Sequence, residues 1–367
     1  MRRVSAEVDS AALAHNLNVA RRCAPGSRVF AIVKADAYGH DLMPAARALD
    51  KAGADGFGVA CVEEALELLE AGIRSHLLVL EGATSPAELD AARQAGLELV
   101  VHADWQLRML ELEGHEGLSR VWIKFDTGMH RLGFAPHRAG ELHQRFDALG
   151  IEAAPISHLA CADEPEREEN RRQLQQFEKL REYFPGPASL ANSAAVLALP
   201  AGHYDWVRPG IMLYGISPQF DRDGSEFGLR PAMTLKAHVL CIQDVAIGEG
   251  VGYGETWRAE RPSRVATVSI GYGDGYPWRG ATGASALLRD QRVPLVGRVS
   301  MDMLGIDVTD VPDAMPRDEV VLWGEGLPVE SVARAADTIP YELVCDVTGR
   351  VPRIYTTTHA PVDTAAI

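Results

Sequence analysis

The stretch VFAIVKADAYGH, residues 29–40, carries the decision about fold. Val29 to Val33 form a continuous apolar run rich in β-branched residues, which suits a strand buried on both faces of a parallel sheet. Lys34 follows at the carboxyl end of the run. Similar short apolar runs recur at 56–60, 77–80, 97–101, 121–125, 153–156, 188–191 and 204–207. Between them lie amphipathic patterns such as CVEEALELLEAG (61–72), PAELDAARQAG (86–96) and EREENRRQLQQFEKLREYF (166–184). Two of these three close on glycine, the residue that best adopts the left-handed conformation ending a helix.

Eight strands with a helix after nearly every one predict an α/β fold, a (β/α)8 TIM-type barrel, with a doubly wound open sheet as the competing arrangement. The composition changes after SPQFDRDGSEFGLRP (217–231), a turn-rich, acidic linker. MTLKAHVLCIQDV (233–245), SRVATVSIGYGDGY (263–276), RVPLVGRVSMDMLGIDV (292–308) and DEVVLWG (318–324) then read as strands, with one helix expected over 328–337. The expected division is a barrel domain over 1–229 and a mainly β domain over 230–367. The final residues, THAPVDTAAI (358–367), read as a ragged tail.

The formal net charge of -15 disfavours nucleic acid and anionic membranes as partners. The five cysteines are widely spaced and include no C-x-x-C, so free thiols in a reducing cytosol are expected rather than disulfides or zinc. The amino terminus has two arginines but no apolar stretch after them, so no secretory signal is read, no apolar run is long enough to span a bilayer, and a cytoplasmic location is expected.

A lysine at a strand end is most often one that snorkels to solvent. Lys34 acquires interest from its company, because catalytic groups collect at the carboxyl ends of barrel strands. VWIKFDTGMHRLGF places Lys124, Asp126 and Arg131 at the fifth run, PISHLACAD places His158 and Asp163 at the sixth, ASLANSAAV places Asn192 and Ser193 at the seventh, and YDWVRPGIMLYG places Arg208 and Gly210 at the eighth. Singly these are ordinary: an isolated histidine usually serves the core, and Asn-Ser is usually a cap. Together they suit one chemistry. Ser193 with the backbone amides of Gly210 and Ile211 can cradle a phosphate, a lysine amine can form an imine with an aldehyde cofactor, and an arginine can hold a carboxylate bidentately. No metal-binding motif is present. The glycine-dense GEGVGYGETW and SIGYGDGY lack the strand-loop-helix context of a nucleotide site and read as β turns.

The ordered set AIVKADAYGHD, KFDTGMHRLGF, SHLACAD, ANSAA, VRPGIMLYG, GVGYGETW, SIGYGDGY, GRVSMDM and RVPRIY resembles the motifs of bacterial alanine racemases, from about Val29 to Tyr355. The resemblance implies a pyridoxal 5'-phosphate-dependent isomerase that interconverts L- and D-alanine and supplies D-alanine for peptidoglycan. Lys34 would carry the cofactor and serve the D-enantiomer; Tyr253 would be the opposing base for the L-enantiomer. Tyr38, Ser193, Gly210 and Ile211 would contact the phosphate, Arg208 the pyridine nitrogen, and His158 and Asn192 the cofactor's surroundings. Arg131 would face the substrate carboxylate, with Lys124 beside it as a candidate carbamylated lysine. Tyr253, Tyr272, Met301 and Asp302 would reach the active site of the partner subunit in a homodimer. A tyrosine acting as a base near neutral pH must be far more acidic than its ordinary pKa of about 10, with nearby positive charge or a hydrogen bond from His158 as the cause. The alternatives are a racemase of broader specificity that includes serine, and a barrel-type lyase or decarboxylase using the same cofactor; a non-catalytic cofactor-binding protein would not need the β domain.

One departure concerns VTGRVPRIY, where Gly349 stands at a position that some family members fill with a tyrosine. A wider entrance and better tolerance of serine are expected. Gly349→Tyr should lower the serine-to-alanine ratio of kcat/KM, and an unchanged ratio would exclude the idea.

Overall fold

The computed structural model describes residues 4–281 and 283–357, so the tail at 358–367 lies outside the described residues. Eight parallel strands close into a barrel: β2 (Arg28–Ile32), β3 (Gly56–Val59), β4 (His76–Val79), β5 (Glu98–Val101), β6 (Arg120–Lys124), β7 (Ala154–Ile156), β8 (Ser189–Asn192) and β9 (Trp206–Arg208). Each coincides with one of the apolar runs. The barrel, rather than the open sheet, is the arrangement formed, because β9 pairs back onto β2 through Arg28–Trp206 and Val29–Val207.

The helices begin and end for local reasons. Ser85 caps Pro86–Ala95: its hydroxyl accepts from Glu88 N at 3.2 Å, and Gly96 terminates the helix at φ 66°. Helix Val62–Glu70 buries Val62, Ala65 and Leu68, the stripe expected of a helix laid on a barrel.

Large aromatics fill the barrel interior near its amino-terminal end. Phe30 stacks on Trp206 with ring centres 3.9 Å apart and meets Trp122 edge-on at 6.0 Å. Gly56 is required beside them, since a Cβ there would lie 2.8 Å from both Phe30 Cδ1 and His76 Cβ. The buried Glu98 carboxylate accepts from Trp122 Nε1 and from His76 Nδ1, each at 2.6 Å. The opposite end of the barrel, where the strands finish, carries the residues of chemical interest.

The second unit is mainly β, as expected. An eight-stranded sheet runs in the order Ser263–Val268, Leu304–Asp307, Gln291–Val296, Ser285–Leu288, Glu319–Trp323, β10 (Met233–Val245), β1 (Val4–Asp9), Arg353–Thr356. The long β10 also pairs with Ser263–Val268 beyond an irregularity at Val239–Cys241, so the sheet curls back on itself. The helix expected near 328–337 is Val329–Ala335.

A division at 229/230 differs from the compact units observed. Among the described residues, 4–13, 38–41 and those from 214 to 357 cluster together, and residues 14–37 and 42–213 form the other unit. The reason is backbone pairing. β1 alternates buried and half-buried residues, and lies antiparallel to β10 and parallel to Arg353–Thr356. Among the described residues, no helix is long and apolar enough to cross a membrane.

Candidate active site

The carboxyl ends of the barrel strands bring together Lys34 after β2, Lys124 at the end of β6, His158 after β7, Asn192 and Ser193 at β8, and Arg208, Gly210 and Ile211 at β9. Arg131 lies on the loop after β6 and is exposed. Asp163 is exposed and takes no part. Asn192 caps the short helix Ser193–Ala198, accepting from Ala195 N at 3.1 Å, while its amide nitrogen lies 3.4 Å from His158 Nε2. Ser193 Oγ accepts from Gly210 N at 2.8 Å and from Met212 N at 3.4 Å, so the loops after β8 and β9 converge on this hydroxyl.

The electrostatics of this mouth are one-sided. Arg208 is buried and donates to Ser189 Oγ and the Ser157 and Leu190 carbonyls, with no carboxylate partner among the described residues. Burial holds its guanidinium down to about 9, which still leaves it cationic at neutral pH. Lys124 is pushed down to about 8, first by burial and then by Arg208, Arg131 and Lys34. His158 falls well below the ordinary histidine range for the same reasons, burial first and then the four surrounding cations, so its imidazole is neutral at pH 7. Asp126, two residues beyond Lys124, is committed to its own loop: it accepts from the Gly128 and His130 amides at 3.0 and 2.9 Å and from His130 Nδ1 at 2.9 Å. A strongly acidic protein thus holds a cationic pocket, which favours an anionic ligand.

Lys34 is followed by an unusual backbone. Ala35, Asp36, Ala37 and Tyr38 all have φ between 52° and 55°, and Gly39 follows at 76°. A left-handed turn of non-glycine residues costs roughly 1–2 kcal/mol for each residue, because Cβ crowds the next carbonyl. Specific bonds hold it: Ala37 N donates to Val33 O at 2.9 Å, the Asp36 carboxylate accepts from Leu42 N at 2.8 Å, and Glu64 Oε1 accepts from Ala35 N at 2.9 Å. Strain of this kind, maintained beside a reactive side chain, is typical of functional sites.

The remaining candidates belong to the β unit. Tyr38 stacks on Tyr214 at 4.9 Å, and burial raises its phenol well above the ordinary value. Tyr253 stands between Gly252 and Gly254, whose φ values of 71° and 73° make the sharp turn that leaves the phenol 72% exposed. Tyr253 shares an open recess with Gly252, Gly254, Glu255, Arg258 and Ser300. The Tyr272 amide bonds to Ser300 O at 3.0 Å, which places Tyr272 beside the loop carrying Met301 and Asp302. Asp302 is ion-paired with Arg350. A Cβ built on Gly349 meets no atom within 4 Å.

Sequence reading missed three features of this end of the barrel. The left-handed turn has no sequence signal beyond Asp36 and Gly39, residue types that tolerate positive φ. Glu64 reads as an ordinary acidic residue in a helical first turn. Gln173 is buried, donates to Thr127 Oγ1 and His158 O at 3.1 and 3.0 Å, and accepts from Ala160 N at 2.9 Å. A signal for it existed: on helix Glu168–Leu180 the buried positions Asn170, Gln173, Phe177 and Leu180 follow one helical stripe, with two amides where apolar residues would be expected.

Comparison with known proteins agrees with this fold. Residues 8–218 match the family model for the alanine racemase N-terminal domain, and residues 232–355 match the alanine racemase C-terminal domain. The chain is 47% identical over 361 residues to an alanine racemase of Stutzerimonas stutzeri, covering 97% of this chain and 99% of that protein. It is similar to the crystal structure of the biosynthetic alanine racemase from Pseudomonas aeruginosa, with a TM-score of 0.93 and 47% identity over 97% of this chain and 100% of that one. It also resembles the alanine racemase from Bartonella henselae with covalently bound pyridoxal phosphate, with a TM-score of 0.86 and 30% identity over 97% of this chain and 100% of that one. The barrel, the β unit and both domain matches lead to one conclusion: this chain belongs to the alanine racemases, pyridoxal-phosphate-dependent isomerases that act on alanine.

Proposed function

We propose that this protein interconverts L- and D-alanine by a two-base mechanism, with Lys34 serving the D-enantiomer and Tyr253 of the partner subunit serving the L-enantiomer. The observation that carries this reading is the cluster of Lys34, Lys124, Arg131 and Arg208 around a neutral His158, with no ion-pairing carboxylate among the described residues. The donor set suits pyridoxal phosphate. Lys34 offers an amine for its aldehyde, Ser193 and the β9 loop offer hydrogen bonds for its phosphate, and Arg208 offers a fixed donor for its ring nitrogen. When bound, the cofactor acidifies the substrate α-proton by delocalising the charge left on its removal.

Each side chain then has a definable task. Arg131, exposed at the mouth, binds the alanine carboxylate through its planar fork. Arg208 keeps its proton at neutral pH, so towards a bound cofactor it would donate to the ring nitrogen without protonating it, which would moderate the electron demand and limit side reactions. Neutral His158 accepts a hydrogen bond and adds no further positive charge. Lys34 Nζ and Tyr253 Oη of the partner subunit take and return the α-proton on opposite faces. Asn192, Tyr38, Tyr272, Met301 and Asp302 complete the surroundings of cofactor and substrate. The β unit exposes Tyr253, Tyr272, Trp278, Met301 and Met303, a concentration of apolar surface that supports a homodimer with shared sites. A cytoplasmic protein supplying D-alanine for peptidoglycan follows from this reading, and the free cysteines suit a reducing compartment.

Lys124 has the properties of a carbamylation site. As pH rises through about 8 its amine becomes neutral and nucleophilic. Nζ then attacks the carbon of carbon dioxide: an N–C bond forms, one C=O electron pair moves to oxygen, and the amine proton leaves to solvent. The resulting anion is neutralised by Arg131 and relieves the cation crowding. With 13C-labelled bicarbonate, a carbamate carbon signal should grow between about pH 7 and 9 and be lost in Lys124→Ala. A signal that is absent, or that survives the substitution, rules this modification out.

The central test incubates the protein, supplied with pyridoxal phosphate, with L-alanine in D2O. Loss of the α-proton together with D-alanine rising towards an equal mixture is expected. Exchange without D-alanine would point to a single working base and a lyase or decarboxylase. Absence of both would turn attention to serine and other amino acids.

Sharing of the bases between subunits is tested by mixing inactive variants. Lys34→Ala and Tyr253→Phe should each abolish racemisation, and exchange of their subunits should restore part of it, since one site of the hybrid has both bases. No recovery after demonstrated exchange would place Tyr253 at the site of its own chain.

A further inference from the structure

Glu64 stands in the first turn of helix Val62–Glu70, just beyond β3. Both of its carboxylate oxygens are engaged: Oε1 accepts from Ala35 N at 2.9 Å and Oε2 from Ala60 N at 2.8 Å. The second contact alone would be a helix-capping device, favoured by the positive end of the helix dipole. The first has a different consequence. The Ala35 N–H belongs to the peptide plane that begins at the Lys34 carbonyl, so fixing its direction fixes the backbone rotation that aims Lys34. Ala35 is also the first of the four left-handed non-glycine residues, the point where the chain must leave the strand conformation against steric preference.

The other end of the bridge is anchored to the barrel. β3 pairs with β2 through Phe30–Gly56, Ala31–Phe57 and Ile32–Gly58, Val33 N donates to Gly58 O at 3.0 Å, and Ala60 O accepts from Glu81 N at 3.1 Å. Glu64 thus ties a strained turn to a rigid strand end through two charge-assisted hydrogen bonds. We propose that Glu64 is a positioning residue for Lys34, holding the left-handed turn so that the lysine amine is presented for capture of an aldehyde; the inference rests on the reading of Lys34 as the cofactor-binding residue. Glutamine cannot replace it, because a carboxamide has one accepting oxygen and would set its NH2 against the second amide.

The test uses the full-length protein freed of cofactor. Amide hydrogen exchange at Ala35 is measured first. Pyridoxal phosphate is then added, covalent capture is followed by visible absorbance, and the borohydride-reduced adduct is located by mass spectrometry. Glu64→Gln should exchange the Ala35 amide about ten-fold faster and capture the aldehyde at Lys34 about ten-fold more slowly. Its thermal midpoint should stay within about 4 °C of wild type. Adding Ala35→Gly, which removes the Cβ cost of positive φ, should restore most of the capture rate. Loss of a helix cap would not be rescued in this way. If Glu64→Gln does not fold, Glu64→Asp, too short to span both amides, replaces it with the same expectations. Wild-type rates of exchange and capture in the Glu64 variant, or failure of Ala35→Gly to rescue, overturn the proposal while the role of Lys34 stands. A wild-type protein that forms no adduct at Lys34 overturns both.

Discussion

A buried guanidinium with no carboxylate beside it among the described residues sets the terms for the carboxyl end of the barrel. Arg208 is held by the Ser189 hydroxyl and by the Ser157 and Leu190 carbonyls, all neutral acceptors. Its charge is therefore solvated by dipoles and not cancelled. Lys124 and His158 lose affinity for protons first through their own burial and then through the field of Arg208 and the neighbouring cations. Had a carboxylate paired with Arg208, the pocket would be closer to neutral and His158 more basic. This charge, with the two lysines and the arginine around it, makes the pocket cationic and suited to an anionic ligand.

Geometry at the mouth depends on polar side chains that brace loops. Gln173 joins the segment containing Thr127 to the one containing His158 and Ala160. Ser193 draws the β9 loop towards the β8 loop. Asp36 and Glu64 restrain the turn behind Lys34. Gln173 and Ser193 do this from buried positions, whereas Asp36 is exposed and Glu64 half-buried. The barrel interior supplies the stiffness they lean on: Phe30, Trp122 and Trp206 fill it near the far end, and the buried Glu98 is satisfied by His76 and the Trp122 indole.

The β unit solves a different problem. Its sheet curls through the long β10, and its glycine turns leave aromatic and methionine side chains outside. Tyr253 and Tyr272 are exposed at 72% and 44%. Large apolar side chains kept outside in one unit are the observation behind the proposed homodimer.

Much of the fold was written in local pattern. Continuous apolar runs between amphipathic helices marked all eight barrel strands, and the change to alternating, glycine-punctuated segments marked the β unit. The identities of the cations at the strand ends were equally visible, because every parallel strand delivers its last residue to the same rim. Tertiary structure alone decided the rest. β1 joins the β sheet because its partners, β10 and Arg353–Thr356, are distant in sequence and announce nothing in its own six residues. The left-handed turn after Lys34 contradicts the local preference of alanine and tyrosine, so only bonds from Asp36, Glu64 and Val33 can sustain it. The proton affinities of Lys124 and His158 are likewise set by neighbours that the chain brings together only when it folds. Sequence determines which charges exist; their distances and their burial, which fix what those charges do, arise from the closed barrel.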